Sequence, residues 1–179
     1  NFLVSIKGEQ GSTITPQVQD MQGRWAKSSF IRVNPGGNVT LAPEVENEKG
    51  EVISTKDILG GKPAIVSFWG VTCKPCMTEL NTLNELLEEW RKEVDFNVIA
   101  VSIDDSRFTA RARSMAKGFD WDFICLFDKN QDLKRAMNVM LTPQTFVVDG
   151  TGKVVYAHTG YTPGSEYELL EQLKAITKK

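Results

Sequence analysis

The sequence of 179 residues predicts an α/β protein with a central mixed β-sheet, helices on both faces of that sheet and a strand-rich extension at the N-terminus. Three observations predict this fold class. Strand and helix patterns alternate from about residue 41 onward, a β-hairpin pattern follows them, and an amphipathic helix pattern ends the chain. A chain of this length buries enough surface to hold one core without disulfide staples, so we expect a single main domain.

The overall charge and hydropathy exclude two classes of function. The chain carries 21 Lys and Arg residues against 23 Asp and Glu residues, a net charge of -2, so we expect no nucleic acid among its partners. No apolar run approaches the roughly 18 residues of a membrane-spanning helix. We therefore expect no spanning segment in this chain, and the start at Asn1 is compatible with a signal or anchor that was removed.

The first 40 residues differ in character from the rest of the chain. Gly and Pro residues interrupt short β-prone pieces such as Phe2–Ile6 and Ser29–Val33, and Asn34–Asn38 is typical of a turn. We interpret residues 1–40 as a β-rich N-terminal extension without recognisable chemistry, and residues 41–179 as the main domain.

From residue 41 the apolar residues predict alternating strands and helices. Continuous apolar runs are typical of strands buried on both faces, and apolar residues at steps of three and four are typical of helices with one buried face. In chain order the predicted elements are a strand over Ala64–Trp69, a helix with apolar positions from Leu80 to Val94, a strand over Phe96–Ile103, a helix over Ser106–Lys117, a strand over Phe123–Phe127 and a helix over Leu133–Met137.

The last third of the domain predicts a hairpin and a terminal helix. Thr145–Val148 and Val154–His158 flank the turn residues Asp149–Gly152, as the two strands of a β-hairpin do. A final helix is predicted to start at Ser165, with Glu168 three residues later at the spacing of a capping box.

The most informative motif is Cys73-Lys74-Pro75-Cys76, which follows a predicted buried strand and opens an amphipathic helix. The free N–H groups and the dipole at a helix N-terminus stabilise an anion, which lowers the pKa of a cysteine there. We expect Cys73 to be the thiolate nucleophile. Cys76 lies one helical turn further in, near enough to form a disulfide with Cys73 and so release a bound substrate. Pro75 suits the first turn, where its missing N–H costs nothing.

The alternative interpretation of this pair is one half of a metal site. Zinc takes four ligands, typically with a second close pair. This chain offers only Cys125 and His158 to complete such a set, and each stands alone in a strand pattern. We therefore favour a redox site with no metal and no cofactor, and we interpret Cys125 as a buried packing residue.

Several segments resemble the thioredoxin superfamily, and more narrowly its TlpA/ResA-like (redoxin) branch of cell-envelope thiol–disulfide oxidoreductases. The resemblance runs in order from residue 41 to the C-terminus and implies a thioredoxin-like three-layer sandwich. The residues that carry it are Phe68–Cys76, Glu79, Thr142–Gly150, Leu41–Glu44 and Lys56–Lys62.

The resemblance also implies residues that bind the substrate. Pro143 is expected to be a cis-proline packed against the disulfide, with a trans-proline that starts an edge strand as the alternative. The backbone of Thr142 is expected to pair with a bound substrate segment. Trp69 is expected to shield the dithiol, unless it is a core residue. Lys74 and Pro75 complete the expected substrate-binding surface.

Glu79 is the third expected catalytic residue. It lies three residues after Cys76 on the same helix face, and the resemblance implies that it assists proton transfer at the inner cysteine. The alternative is a surface glutamate that stabilises the helix dipole. Thioredoxins proper carry a buried carboxylate on the central strand. Because Ser67 stands there, Glu79 is the only obvious proton acceptor near the pair.

These observations predict a protein-disulfide oxidoreductase, more specifically a reductase, that acts through Cys73 and Cys76. The resemblance implies protein disulfides or dithiols as substrates, an upstream electron donor such as a membrane thiol carrier, a monomer, and a place in the cell envelope or periplasm. One alternative is a peroxiredoxin-like thiol peroxidase, a class that needs a threonine where Gly70 stands. Another is a non-enzymatic module that binds copper or zinc through the cysteine pair.

Overall fold

The computed structural model describes residues 43–55 and 58–178, and in the N-terminal region only the backbone of six short strands. These are β1 (Val4–Lys7), β2 (Thr13–Ile14), β3 (Gln17–Gln19), β4 (Trp25–Lys27), β5 (Ile31–Arg32) and β6 (Asn38–Leu41). β1 pairs with β6, β2 with β5 and β3 with β4, all antiparallel. The strand-rich character predicted for this region is confirmed, while the turn predicted before Asn38 lies outside the described residues.

The main domain is built on one seven-stranded mixed sheet. Its strands are β7 (Glu44–Glu46), β8 (Val52–Ser54), β9 (Ala64–Trp69), β10 (Asn97–Ser102), β11 (Ile124–Phe127), β12 (Gln144–Val148) and β13 (Val154–Thr159). The order across the sheet is β13-β12-β9-β10-β11-β7-β8. β9, β10 and β11 are parallel to one another, and the remaining neighbours are antiparallel. The predicted central sheet and the C-terminal hairpin, β12 with β13, are therefore confirmed.

In the part of the chain that the structure describes, four helices cover the sheet. They are α1 (Lys74–Glu93), α2 (Thr109–Phe119), α3 (Asp132–Ala136) and α4 (Glu166–Thr177). Every residue of β9 is buried, and its side chains alternate between two apolar cores. Ile65 and Trp69 enter the core that α1, α2 and α4 share, whereas Val66 and Phe68 enter the core that contains Leu133 of α3. Helices on both faces of a sheet give the predicted three-layer sandwich.

Two local findings qualify the sequence predictions. α4 starts at Glu166, one residue after the predicted Ser165, but the capping box is wrong, because the Ser165 side chain makes no cap hydrogen bond. The Glu166 carboxylate instead accepts the backbone N–H of Gly164 at 3.0 Å.

Within the described part of the chain, none of the helices combines the length and the apolar composition needed to cross a membrane.

Candidate active site

The two cysteines of the motif form a disulfide at the N-terminus of α1. The Sγ atoms of Cys73 and Cys76 are 2.02 Å apart and their Cα atoms 5.3 Å apart. β9 ends at Trp69, a short turn follows, and Cys73 is the N-cap residue of the helix that begins at Lys74. Cys73 is partly exposed while Cys76 is completely buried. The predicted pairing is confirmed, and only one of the two sulfurs faces solvent.

The helix N-terminus directs a backbone hydrogen-bond donor at the Cys73 sulfur. The backbone N–H of Cys76 donates to the Cys73 Sγ at 3.3 Å. Pro75 occupies the first turn, as expected from its missing N–H. Both Lys74 and Pro75 are exposed beside the disulfide. A negative charge on the Cys73 sulfur would therefore meet an N–H donor and the positive end of the α1 dipole.

The cis-proline loop lies at the same end of the sheet. The Thr142–Pro143 peptide bond is cis, as predicted. Pro143 is buried, and its carbonyl accepts the backbone N–H of Gly160 at 2.8 Å. The next residue, Gln144, pairs with Phe68 across the antiparallel β12–β9 ladder. Because the strands run in opposite directions, the chain before Pro143 continues alongside the turn that leads to Cys73.

Glu79 is buried beneath the disulfide rather than displayed on the helix surface. It is only 2% exposed, so the surface helix-dipole interpretation is wrong. Its Oε1 accepts hydrogen bonds from the hydroxyls of Thr145 at 2.6 Å and Ser67 at 3.1 Å. Burial raises the pKa of Glu79 above its ordinary value of 4.5, against the lowering effect of these two bonds. A carboxyl with a raised pKa, one helical turn from Cys76, can take up and return a proton there.

Asp104 is a site residue that the sequence analysis did not identify. Its carboxylate accepts the backbone N–H of Val71 at 3.1 and 3.3 Å and the Ser102 hydroxyl at 2.8 Å. Gly70, whose carbonyl accepts the Cys73 N–H at 3.0 Å, packs against the same carboxylate. Asp104 thus anchors the turn that presents Cys73. The available signal was its position after β10, since parallel strands bring their carboxyl ends to one edge.

The remaining aromatic and sulfur candidates lie in the interior. Trp69 is fully buried, with its ring centroid 5.3 Å from that of Trp121 in an edge-to-face contact, which favours the core interpretation of this residue. Cys125 is 3% exposed on β11, as expected of a packing residue, and burial raises the pKa of its thiol to about 12.

His158 and the acidic residues form no metal centre in the structure described. His158 lies on β13, where it pairs with Thr145 of β12, and β13 is two strands away from β9. Among residues 43–55 and 58–178 there is no group of three or more His, Cys, Asp or Glu side chains arranged to hold a metal ion.

Comparison with known proteins places these features in a family. Residues 37–157 match the AhpC/TSA family. The chain is 32% identical to the thiol-disulfide oxidoreductase ResA of Bacillus thuringiensis subsp. konkukian, over 98% of this chain and 93% of that protein. Among solved structures it is similar to a thioredoxin-like protein from Porphyromonas gingivalis, with 42% identity and a TM-score of 0.69 over 77% of this chain and 91% of that one. It also resembles a Chlorobium tepidum protein assigned as the thiol:disulfide interchange protein DsbE, with 25% identity and a TM-score of 0.66 over 76% and 93% of the two chains.

Proposed function

The chain belongs to the AhpC/TSA family and is a thiol–disulfide oxidoreductase with a thioredoxin-like fold, and from this premise we propose that it reduces disulfides in partner proteins. One observation carries the proposal. The disulfide has one sulfur, Cys73, facing solvent at a helix N-terminus and the other, Cys76, buried one turn from a carboxyl group. This asymmetry suits a nucleophile and a resolving thiol.

The reaction begins with the reduced protein. The Cys73 thiolate attacks a sulfur of the substrate disulfide, and the other substrate sulfur leaves as a thiolate that takes a proton from water. The Cys76 thiol then passes its proton to Glu79 and attacks the Cys73 sulfur, which releases the second substrate sulfur. Two electrons have moved to the substrate, and the protein is left with the Cys73–Cys76 disulfide. An external dithiol carrier restores it by the reverse exchange.

One acidic group supports the direction toward reduction. Asp104 lies against the turn before Cys73. A negative charge near a dithiol opposes thiolate formation, and a dithiol whose thiolate is less stabilised is the stronger reductant.

The proposal extends to the substrate-binding surface and the cellular setting. Thr142 is partly exposed, which suits backbone pairing with a substrate segment, and Lys74 and Pro75 border the exposed sulfur. Because both cysteines and Glu79 come from one chain, a monomer is sufficient. The similarity to thiol–disulfide oxidoreductases of the cell-envelope branch supports a place in the cell envelope or periplasm.

Trapping tests the two cysteine roles. In Cys76→Ser the resolving step is lost, so the reduced variant should accumulate a mixed disulfide with native, disulfide-bonded insulin, visible as a mass increase that dithiothreitol removes. Cys73→Ser is the matched control and should form no adduct. Equal adduct formation at both positions would refute the assignment of roles.

Peroxide tests the alternative activity. With dithiothreitol as the reductant, the wild-type protein should accelerate insulin reduction and leave hydrogen peroxide consumption at the background rate. Peroxide turnover that exceeds insulin reduction would instead identify a peroxidase.

A further inference from the structure

Two apolar side chains stand exposed directly before the cis-proline. Met140 is 78% exposed and Leu141 is 69% exposed, more than any other large apolar side chain in the described part of the chain. Thr142 and Pro143 follow them immediately. Exposed apolar residues that are scattered singly need no explanation, but an adjacent pair beside a reactive disulfide does.

The exposure of this pair is fixed by the residues around it. Met137 and Val139 are 2% and 3% exposed and pack in the core that faces α3. The Val139 N–H donates to the Lys134 carbonyl at 3.0 Å, and Pro143 is buried at the other end of the segment. The loop is therefore held at both ends, and its apolar pair is presented to solvent by the fold.

The pair lies at the end of the sheet where the disulfide lies. Gln144 is the register partner of Phe68, so Pro143 stands beside the position of Trp69, one interstrand spacing of about 4.8 Å away. The chain before Pro143 then runs beside the turn from Gly70 to Cys73. A protein that brings its disulfide to the Cys73 sulfur must lay its own chain over these neighbouring segments.

We propose that Met140 and Leu141 form a docking surface for apolar side chains next to the disulfide cysteine of the substrate protein. The inference rests on the proposed function, and it names the substrate class of the same site. Backbone pairing at Thr142 gives little sequence preference, because main-chain bonds are common to all sequences. The apolar pair adds that preference. When the residues beside the substrate cysteine are apolar, their contact with Met140 and Leu141 removes apolar surface from water, and polar residues at those positions gain no such burial.

The test compares two synthetic disulfide peptides and one small disulfide, with dithiothreitol as the reductant that regenerates the dithiol and the rate without protein subtracted. The peptides share their length and charge, and one has Leu and Val beside its cysteines where the other has Ser and Gln. Hydroxyethyl disulfide has no flanking residues. The double variant Met140→Gln/Leu141→Gln should lose about tenfold in kcat/KM for the apolar peptide, mainly through KM. Its rates with the polar peptide and with hydroxyethyl disulfide should stay within about twofold of wild type.

The matched control is Val52→Thr, which removes apolar surface from a 59% exposed residue on β8, at the far edge of the sheet. It should leave all three rates unchanged. Wild-type protein that accelerates the reduction of none of the three disulfides refutes the proposed function itself. Wild-type protein that reduces both peptides with the same kcat/KM refutes only the docking surface. Two further results would also overturn the docking surface, provided that the double variant keeps the wild-type peptide kinetics. One is a wild-type dimer that dissociates in the double variant, and the other is binding of wild-type protein to vesicles that the double variant loses.

Discussion

Cys76 and Cys125 are almost equally buried, yet their surroundings differ in every respect that governs thiol chemistry. Cys76 is 0% and Cys125 3% exposed. Cys76 lies in the first turn of α1, bonded to a solvent-facing sulfur, with the Glu79 carboxyl one helical turn away. Cys125 lies within β11, and the Phe123 carbonyl is the acceptor for its thiol at 3.9 Å. Burial alone therefore does not make a cysteine inert. In the proposed mechanism, a partner sulfur and a nearby proton acceptor distinguish the reactive thiol from the packing thiol.

The largest expected contrast is in alkylation of the reduced protein. Because burial raises the pKa of Cys125 to about 12, its thiolate fraction at pH 7 is on the order of 10⁻⁵. Cys73 is partly exposed and stabilised at a helix N-terminus, so iodoacetamide should modify it at least about a thousandfold faster. Peptide mass spectrometry over a time course measures both rates.

Unfolding provides the control for that contrast. In guanidinium chloride Cys125 becomes exposed, and its rate should rise to that of an ordinary thiol. Cys125→Ala should take up the same label as wild type under native conditions. Comparable labelling of Cys125 and Cys73 in the folded protein would contradict the comparison.

Glu79 tests what makes the buried Cys76 competent. Glu79→Gln keeps the side-chain shape and one oxygen for Thr145 and Ser67 but cannot accept a proton. We expect the resolving step to slow by about a hundredfold, the lower end of general-base effects, and the rate to lose the pH dependence that Glu79 imposes. Stopped-flow measurement of mixed-disulfide decay gives this rate. Glu85→Gln, on an exposed glutamate of the same helix, is the matched control and should change nothing.

Stability gives a second readout of Glu79. Its pKa is raised above 4.5 in the folded protein, so the folded state holds this proton more tightly than the unfolded chain does. The stabilisation is complete at pH values below 4.5 and is lost as the pH rises through the raised pKa. Urea unfolding should show this loss in wild type and not in Glu79→Gln. Curves that stay parallel over the whole range would mean that the pKa of Glu79 is not raised.

The sequence predicted the parts of the site that depend on neighbours along the chain. The disulfide follows from a three-residue spacing at a helix start, and the cis-proline follows from a motif resemblance. The burial of Glu79 could not be decided in that way, because the same spacing suits a surface glutamate. Its environment depends on Thr145, which the β12–β9 pairing brings opposite Ser67 from 78 residues away. Asp104 was missed for the same reason, because its partner Val71 lies in the turn that follows a different strand, β9.

The smallest effect is expected from substitution of Asp104. It tests whether the charge beside the turn before Cys73 changes the reactivity of the exposed thiol. Asp104→Asn keeps an oxygen that can accept the Val71 N–H, so the turn should hold while the negative charge is lost. A charge near a helix terminus typically changes the stability of an ion there by about 0.3–1 kcal/mol. We therefore expect Cys73 to be alkylated about two- to fivefold faster at pH 7, with the pH profile of alkylation shifted to lower pH.

Two further variants separate charge from anchoring at this position. Asp104→Ala removes the acceptor as well as the charge, so the rate of insulin reduction should fall even though the charge effect alone favours the thiolate. Asp105→Asn alters the neighbouring carboxylate, which binds Arg107 on the surface, and it should leave the profile in place. If Asp104→Asn and Asp105→Asn gave the same profile as wild type, Asp104 would hold the turn without tuning the thiol. The difference between Cys73 and Cys125 would then rest on the helix N-terminus and exposure alone.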